Sequence, residues 1–205
     1  MFAKVRGFIR FLRYNTIPER MEMKARKVVM FGAHKAFAYF RGKKFRKLIQ
    51  FDKKDEEEQN RIFNELTVTN IVYLMLLLEQ LIQETDDEEK KEYFRALRKT
   101  APDYFKNWIR KIGIPEKFCS IWDKLVMMRY EEYVENMREI RGEFLDDKDP
   151  KLNELATEKI IMIFQTVVLG LYDHLMRGKI KKGDPIYKNL QPYLLAVNKG
   201  YLKRI

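Results

Sequence analysis

Residues 62–82 read IFNELTVTNIVYLMLLLEQLI, and this stretch decides the fold. Ile62, Phe63, Leu66, Ile71, Leu74, Leu77, Leu78, Leu81 and Ile82 recur on helical spacing, and between 71 and 78 the apolar residues spread around the whole cylinder. A helix apolar on every side needs neighbours on every side, so this segment is expected at the centre of a bundle.

Working outward, two further stretches carry helical stripes. Phe118, Trp122, Leu125, Tyr133, Met137 and Ile140 form a narrow one that leaves Glu131, Glu135 and Glu139 to solvent. Leu155, Ile160, Ile163, Phe164, Val167, Val168, Leu171 and Leu175 form a wide one. Punctuation sets the limits: Thr16 with Pro18 and Glu19, Asp149-Pro150 and Asp184-Pro185 pair a cap with a first-turn proline, while Gly113, Gly142 and Gly178 follow last turns carrying Lys or Arg. No alternating run is bounded by hairpin turn pairs. Helices are therefore predicted near 2–14, 18–50 with a break at Gly32 or Gly42, 55–84, 87–99, 102–112, 115–141, 150–177 and 185–203. The sum is an all-α, compact bundle of about eight helices with long central antiparallel members. The helices 115–141 and 150–177 should form a hairpin closed by the acidic loop Glu143–Asp149.

The 205 residues fit a single domain over 1–205, large enough to build a core without disulfide or metal staples. Cys119 is the only cysteine, which excludes an internal disulfide and multi-cysteine metal sites, and Phe118, Ile121 and Trp122 beside it suggest a buried thiol. The run Ile71–Leu78 is far shorter than the roughly 20 apolar residues of a membrane span. A soluble, cytoplasmic protein without a transmembrane segment is the expectation. One serine and many Lys, Glu and Ile residues are compatible with a thermophilic source.

Charge is distributed in blocks. Residues 1–54 hold 16 Lys and Arg against 3 Asp and Glu, residues 55–176 hold 17 against 26, and residues 177–205 hold 8 against 1. Either the basic ends meet an external polyanion or they fold back on the acidic middle. Within the N-terminal block, Phe2, Val5, Phe8, Ile9 and Leu12 share one helical sector while Arg6, Arg10 and Arg13 cluster on the next. That pattern suits a helix lying in a membrane interface, a first helix packed on the core, or an apolar face joining a second subunit of a homo-oligomer. Arg41-Gly42-Lys43-Lys44-Phe45-Arg46-Lys47 is a second cluster, in which the cations contact phosphates and the ring stacks on a base or enters a membrane. Lys179, Lys181 and Lys182 make a third.

Chemistry is sparse by contrast. His34, in an aromatic stretch, and His174, on the inner spacing of its helix, are the only candidate cofactor or metal ligands, and no second motif supports either. Glu131, Glu132, Glu135 and Glu139 place carboxylates one turn apart, a pattern that surface charge explains equally well. There is no phosphate-binding glycine loop, no nucleophile elbow and no paired Glu-x-x-His motif, so no metal or cofactor is expected, and the sequence leans against catalysis without deciding it. The sequence thus points to a non-enzymatic binding protein docking on lipid head groups or nucleic acid through Arg6, Arg10, Arg13, Lys43, Lys44, Arg46 and Lys47. The alternative is a small-molecule or cofactor-binding helical sensor or enzyme with a pocket between the long helices.

Overall fold

A computed structural model describes residues 17–146, 149–151, 154, 158–177 and 183–205. Among these are seven α-helices and no strand: α1 (Ile17–Phe40), α2 (Lys43–Leu48), α3 (Glu56–Glu84), α4 (Glu88–Lys111), α5 (Glu116–Asp146), α6 (Lys159–Met176) and α7 (Pro185–Leu202). A single 3-10 turn, Phe51–Lys53, leads into α3.

Short acidic side chains start three of these helices. Asp55 accepts from the Glu58 amide at 2.8 Å and Asp87 from the Lys90 amide at 3.2 Å. Asp184 accepts from Ile186 and Tyr187, with Pro185 where its missing N–H costs nothing. Asp149 likewise accepts from the Lys151 amide at 3.0 Å.

α3 is the axis. From Glu65 to Leu78 every residue is buried, because α1, α4, α5, α6 and α7 all pack against it. Each large side chain so buried contributes about 1.5–3 kcal/mol. α5 and α6 are antiparallel: Glu132 meets His174, while Met137 and Arg141 share a groove with Lys159 and Met162. α1 runs antiparallel to α3, since Gly32 meets Asn70 while Phe37 and Phe40 meet Phe63, and its first turns pack on α4, where Lys24 lies over Tyr93. α6 and an 18-residue window of α3 are long and apolar enough to cross a membrane by length and composition alone, which the short run Ile71–Leu78 does not convey. The bundle buries 83% of the apolar window of α3 and 50% of that of α6.

α7 locks onto α1 through a reciprocal contact. The Tyr201 hydroxyl occupies the space a Cβ on Gly32 would need, and the Phe31 ring does the same at Gly200. The two rings meet edge to face at 5.5 Å, and the Tyr201 hydroxyl donates to Asn70 O at 2.8 Å. Asn70 in turn donates to Gly32 O at 2.9 Å and to the Tyr193 hydroxyl at 2.7 Å. Glycine at 32 and 200 is thus required by ring approach, while the backbone stays helical.

Several expected boundaries move. The break in 18–50 falls at Gly42 and not at Gly32, because Gly42 adopts an extended ψ of 121° that caps α2. The segments 87–99 and 102–112 are one helix: Leu97, Ala101, Phe105 and Ile109 form a continuous buried stripe through Pro102, and its burial outweighs the break that proline favours. α5 runs through Gly142 to Asp146, shortening the acidic loop. Its inner face carries Cys119, Val126 and Tyr133, whereas Phe118 is 45% exposed. The expected helix 2–14, Thr16, Leu155 and Gly178 lie outside the described residues.

Candidate functional site

The packing of α7 on α1 and α2 brings the basic ends of the chain together. Tyr39 of α1 stacks on Tyr193 of α7 at 4.0 Å and 15°, and its hydroxyl donates to Asn189 at 2.7 Å. The C-terminal turn returns along α1, where the Arg204 guanidinium lies 4.0 Å from the Phe31 ring centre and donates to Gly200 O at 2.9 Å. Lys35 Nζ lies 5.7 Å from the same ring. Lys27, His34, Lys35 and Arg204 thereby line one groove without an acidic neighbour in its walls.

Outside the groove Arg41, Lys43, Lys44 and Lys47 are exposed, as are Lys199 and Lys203. No acidic residue occurs between Glu22 and Asp52, and none follows Asp184. From Lys24 to Lys47, and from Lys188 to Arg204, no basic side chain pairs with a described acid. Burial and the positive charge of Lys27 hold the Lys24 ammonium below the usual lysine range.

Several acids of the middle block pair within it. Glu79 pairs with Arg98, Asp123 with Lys106 and Glu116 with Arg110. Glu58 bonds Arg61 at 2.7 Å and Arg177 at 3.0 Å, and Arg61 also donates to His174 O and Leu175 O at the end of α6. Bonding to Arg61 takes the Glu58 carboxyl down to about 2. Of the two readings open to the charge blocks, folding back on the acidic middle occurs at Glu58, which pairs with both Lys54 and Arg177, while the basic side chains of Lys24–Lys47 and Lys188–Arg204 pair with no described acid.

Two members of the second cluster change role. Phe45 is 1% exposed and packs on Tyr39 at 4.4 Å, so its ring is unavailable to a base or a membrane. The Arg46 guanidinium lies 3.8 Å from the Phe51 ring centre, and its buried Nε has no partner, so Arg46 covers the core edge while Lys43, Lys44 and Lys47 face solvent. Arg6, Arg10, Arg13, Phe2, Val5, Phe8, Ile9, Leu12, Lys179, Lys181 and Lys182 lie outside the described residues.

The histidines separate. His34 is exposed on α1 within the basic groove, in no enclosed pocket. His174 turns inward, stacked on Tyr133 at 6.0 Å with Nε2 3.1 Å from Glu132 Oε1. Burial raises the Glu132 carboxyl, but His174 and Arg129 outweigh it and leave the group below its usual range. Arg129 bridges Glu132 and Glu65, so the whole set reads as an ionic tie between α3, α5 and α6. Glu131, Glu135 and Glu139 face solvent. No group of three His, Cys, Asp or Glu side chains fit to hold a metal occurs among the described residues.

Sequence reasoning missed Lys27, Lys35 and Arg204 as neighbours. The available signal was the acid-free run from residue 23 to 51, which α1 spreads along one side of the bundle. The fold and this face define an all-α bundle with a cationic side. No family model matches the chain, no curated protein matches it and no solved structure matches it.

Proposed function

We propose that the protein is a non-enzymatic docking module, which binds a phosphate-bearing surface through the face made by α1, α2 and the end of α7. The observation that carries this reading is the meeting of Lys27, Lys35 and Arg204 in one groove, together with the exposure of Arg41, Lys43, Lys44 and Lys47 nearby in the chain, with no described acid paired to any of them. Cations held apart from acids in the fold keep their charge for an external partner, and clustering them multiplies the attraction. Lipid head groups and nucleic acid share the phosphate chemistry involved. A cytoplasmic site, beside the anionic inner leaflet or nucleic acid, fits such a face.

The test is equilibrium binding of the full chain to vesicles containing phosphatidylserine and to duplex DNA across a salt series. Affinity for the true partner falls steeply with salt, by a slope of about 0.7–0.9 in log–log units per phosphate contact if that partner is nucleic acid. K43E/K44E/K47E weakens binding at least tenfold with an unchanged melting temperature, because all three side chains face solvent. Binding indifferent to both salt and charge reversal overturns the reading.

A further inference from the structure

The corner joining α4 to α5 exposes a cluster of large apolar side chains. Every residue from Arg110 to Phe118 is exposed, and the apolar side chains there include Ile112 at 57%, Ile114 at 37% and Phe118 at 45%, with Ile121 at 56% one turn on. Water-facing isoleucines in such a cluster, in a fold that buries 39 apolar side chains among its described residues, mark an interaction surface. The acids at the corner are occupied: Glu116 by Arg110 and Asp123 by Lys106. Lys111, Lys117 and Lys124 are exposed and pair with no acid among the described residues, and Lys117 Nζ lies 4.9 Å from the Phe118 ring centre.

We infer that this corner enters the interfacial layer of an anionic lipid bilayer. Isoleucine and phenylalanine at the centre seat at the acyl boundary, and the long lysine stems let their ammonium groups rest among lipid phosphates. A second copy of the chain fits less well, because a two-fold contact centred here sets three unpaired lysines against their equivalents. Nucleic acid fits less well too, since three of the four apolar side chains have no ring face for a base to stack on.

The sequence supports the same occupant: the residues that precede α1 carry the apolar set Phe2, Val5, Phe8, Ile9 and Leu12 next to Arg6, Arg10 and Arg13, the same pairing of apolar and cationic groups. The inference rests on the docking reading above and names its partner as a membrane.

The experiment uses the full chain with vesicles of phosphatidylcholine and phosphatidylserine in a two-to-one ratio, read by co-sedimentation. A second readout is quenching of Trp108 and Trp122, which lie beside the corner, by lipids brominated high on the acyl chain. The expected result is sedimentation with quenching in the parent, and loss of quenching with at least tenfold weaker sedimentation in I112E/I121E. The melting temperature is unchanged, since both side chains are exposed. If I112E/I121E still sediments like the parent while K43E/K44E/K47E does not, the corner has no membrane role and the docking reading stands. Salt-sensitive binding to duplex DNA with none to vesicles likewise overturns the membrane inference alone. A dimer in the parent that I112E/I121E dissolves, without vesicle binding, assigns the corner to a second copy and overturns it as well. Failure to bind either vesicles or DNA at low salt removes both readings.

Discussion

Glu65 on α3 holds Arg129 on α5 through both carboxylate oxygens, at 2.8 and 3.1 Å, with only 7% of the Glu65 side chain exposed. Burial works against the Arg129 charge, and Glu65 more than restores it. Breaking a buried pair by removing one partner leaves an uncompensated charge, a loss of about 3–5 kcal/mol when nothing else is near. Here Glu132 remains beside Arg129 at 2.9 Å, so Glu65→Gln is expected to cost about 2–3 kcal/mol, less than that range. Replacing both residues by Leu and Met should restore most of the loss in denaturant titrations; a double variant as unstable as the single one would refute the argument.

The two kinds of glycine give opposite outcomes. Gly32→Ala drives a methyl into the Tyr201 hydroxyl, which is itself fixed to Asn70, and should destabilise by about 1–3 kcal/mol. Gly142→Ala adds a methyl with nothing within 4 Å, inside α5, and should stabilise by about 0.5–1 kcal/mol. Thermal melts of the two variants decide the matter.

Tyr73 carries a buried hydroxyl without a partner among the described residues. Such a group costs about 1–3 kcal/mol, so Tyr73→Phe is expected to raise stability by about 1 kcal/mol. Burial also lifts this phenol far above its ordinary value of 10.0. A raised folded value means its contribution is whole below pH 10 and is lost as pH climbs beyond, so Tyr73→Phe should also soften alkaline unfolding followed by circular dichroism.

Acid titration tests the Glu58 tie to Arg61. With its carboxyl lowered from 4.5 to about 2, Glu58 contributes stability that is present above pH 4.5 and fades as pH falls toward 2. Glu58→Gln should flatten stability across that window, and an unchanged acid limb would show that the ion pair adds nothing in solution.

The helical class was legible because its signals are local: apolar spacing in Ile62–Ile82 and cap-proline pairs such as Asp184-Pro185 survive any tertiary context. Boundaries were less so. Pro102 and Gly142 carry the local marks of helix breaks, yet α4 and α5 pass through both, since Leu97, Ala101, Phe105 and Ile109 keep one buried face across Pro102. The candidate face was half legible. Lys43, Lys44 and Lys47 were found from charge alone and do face solvent, whereas Phe45 and Arg46 belong to the core edge. Arg204 was beyond reach, because its place beside Lys27 depends on the Phe31–Gly200 contact, and no local pattern reports a pairing between residues so far apart in the chain.

That contact also fixes when the cationic face comes into being. Tyr201 reaches Asn70 across 131 residues and Tyr39 reaches Asn189 across 150, so α1 and α2 gain their final partners only after α7 has been synthesised. During translation the acid-free stretch of α1 emerges early and must wait, with Phe31 and Gly32 uncovered, for a helix still inside the ribosome. Loop closure over such distances is slow relative to the hairpins α3–α4 and α5–α6, which can form as they appear. The assembled face is therefore the last feature of the molecule to mature, and a chain stalled before Pro185 would present its cations without the groove that organises them.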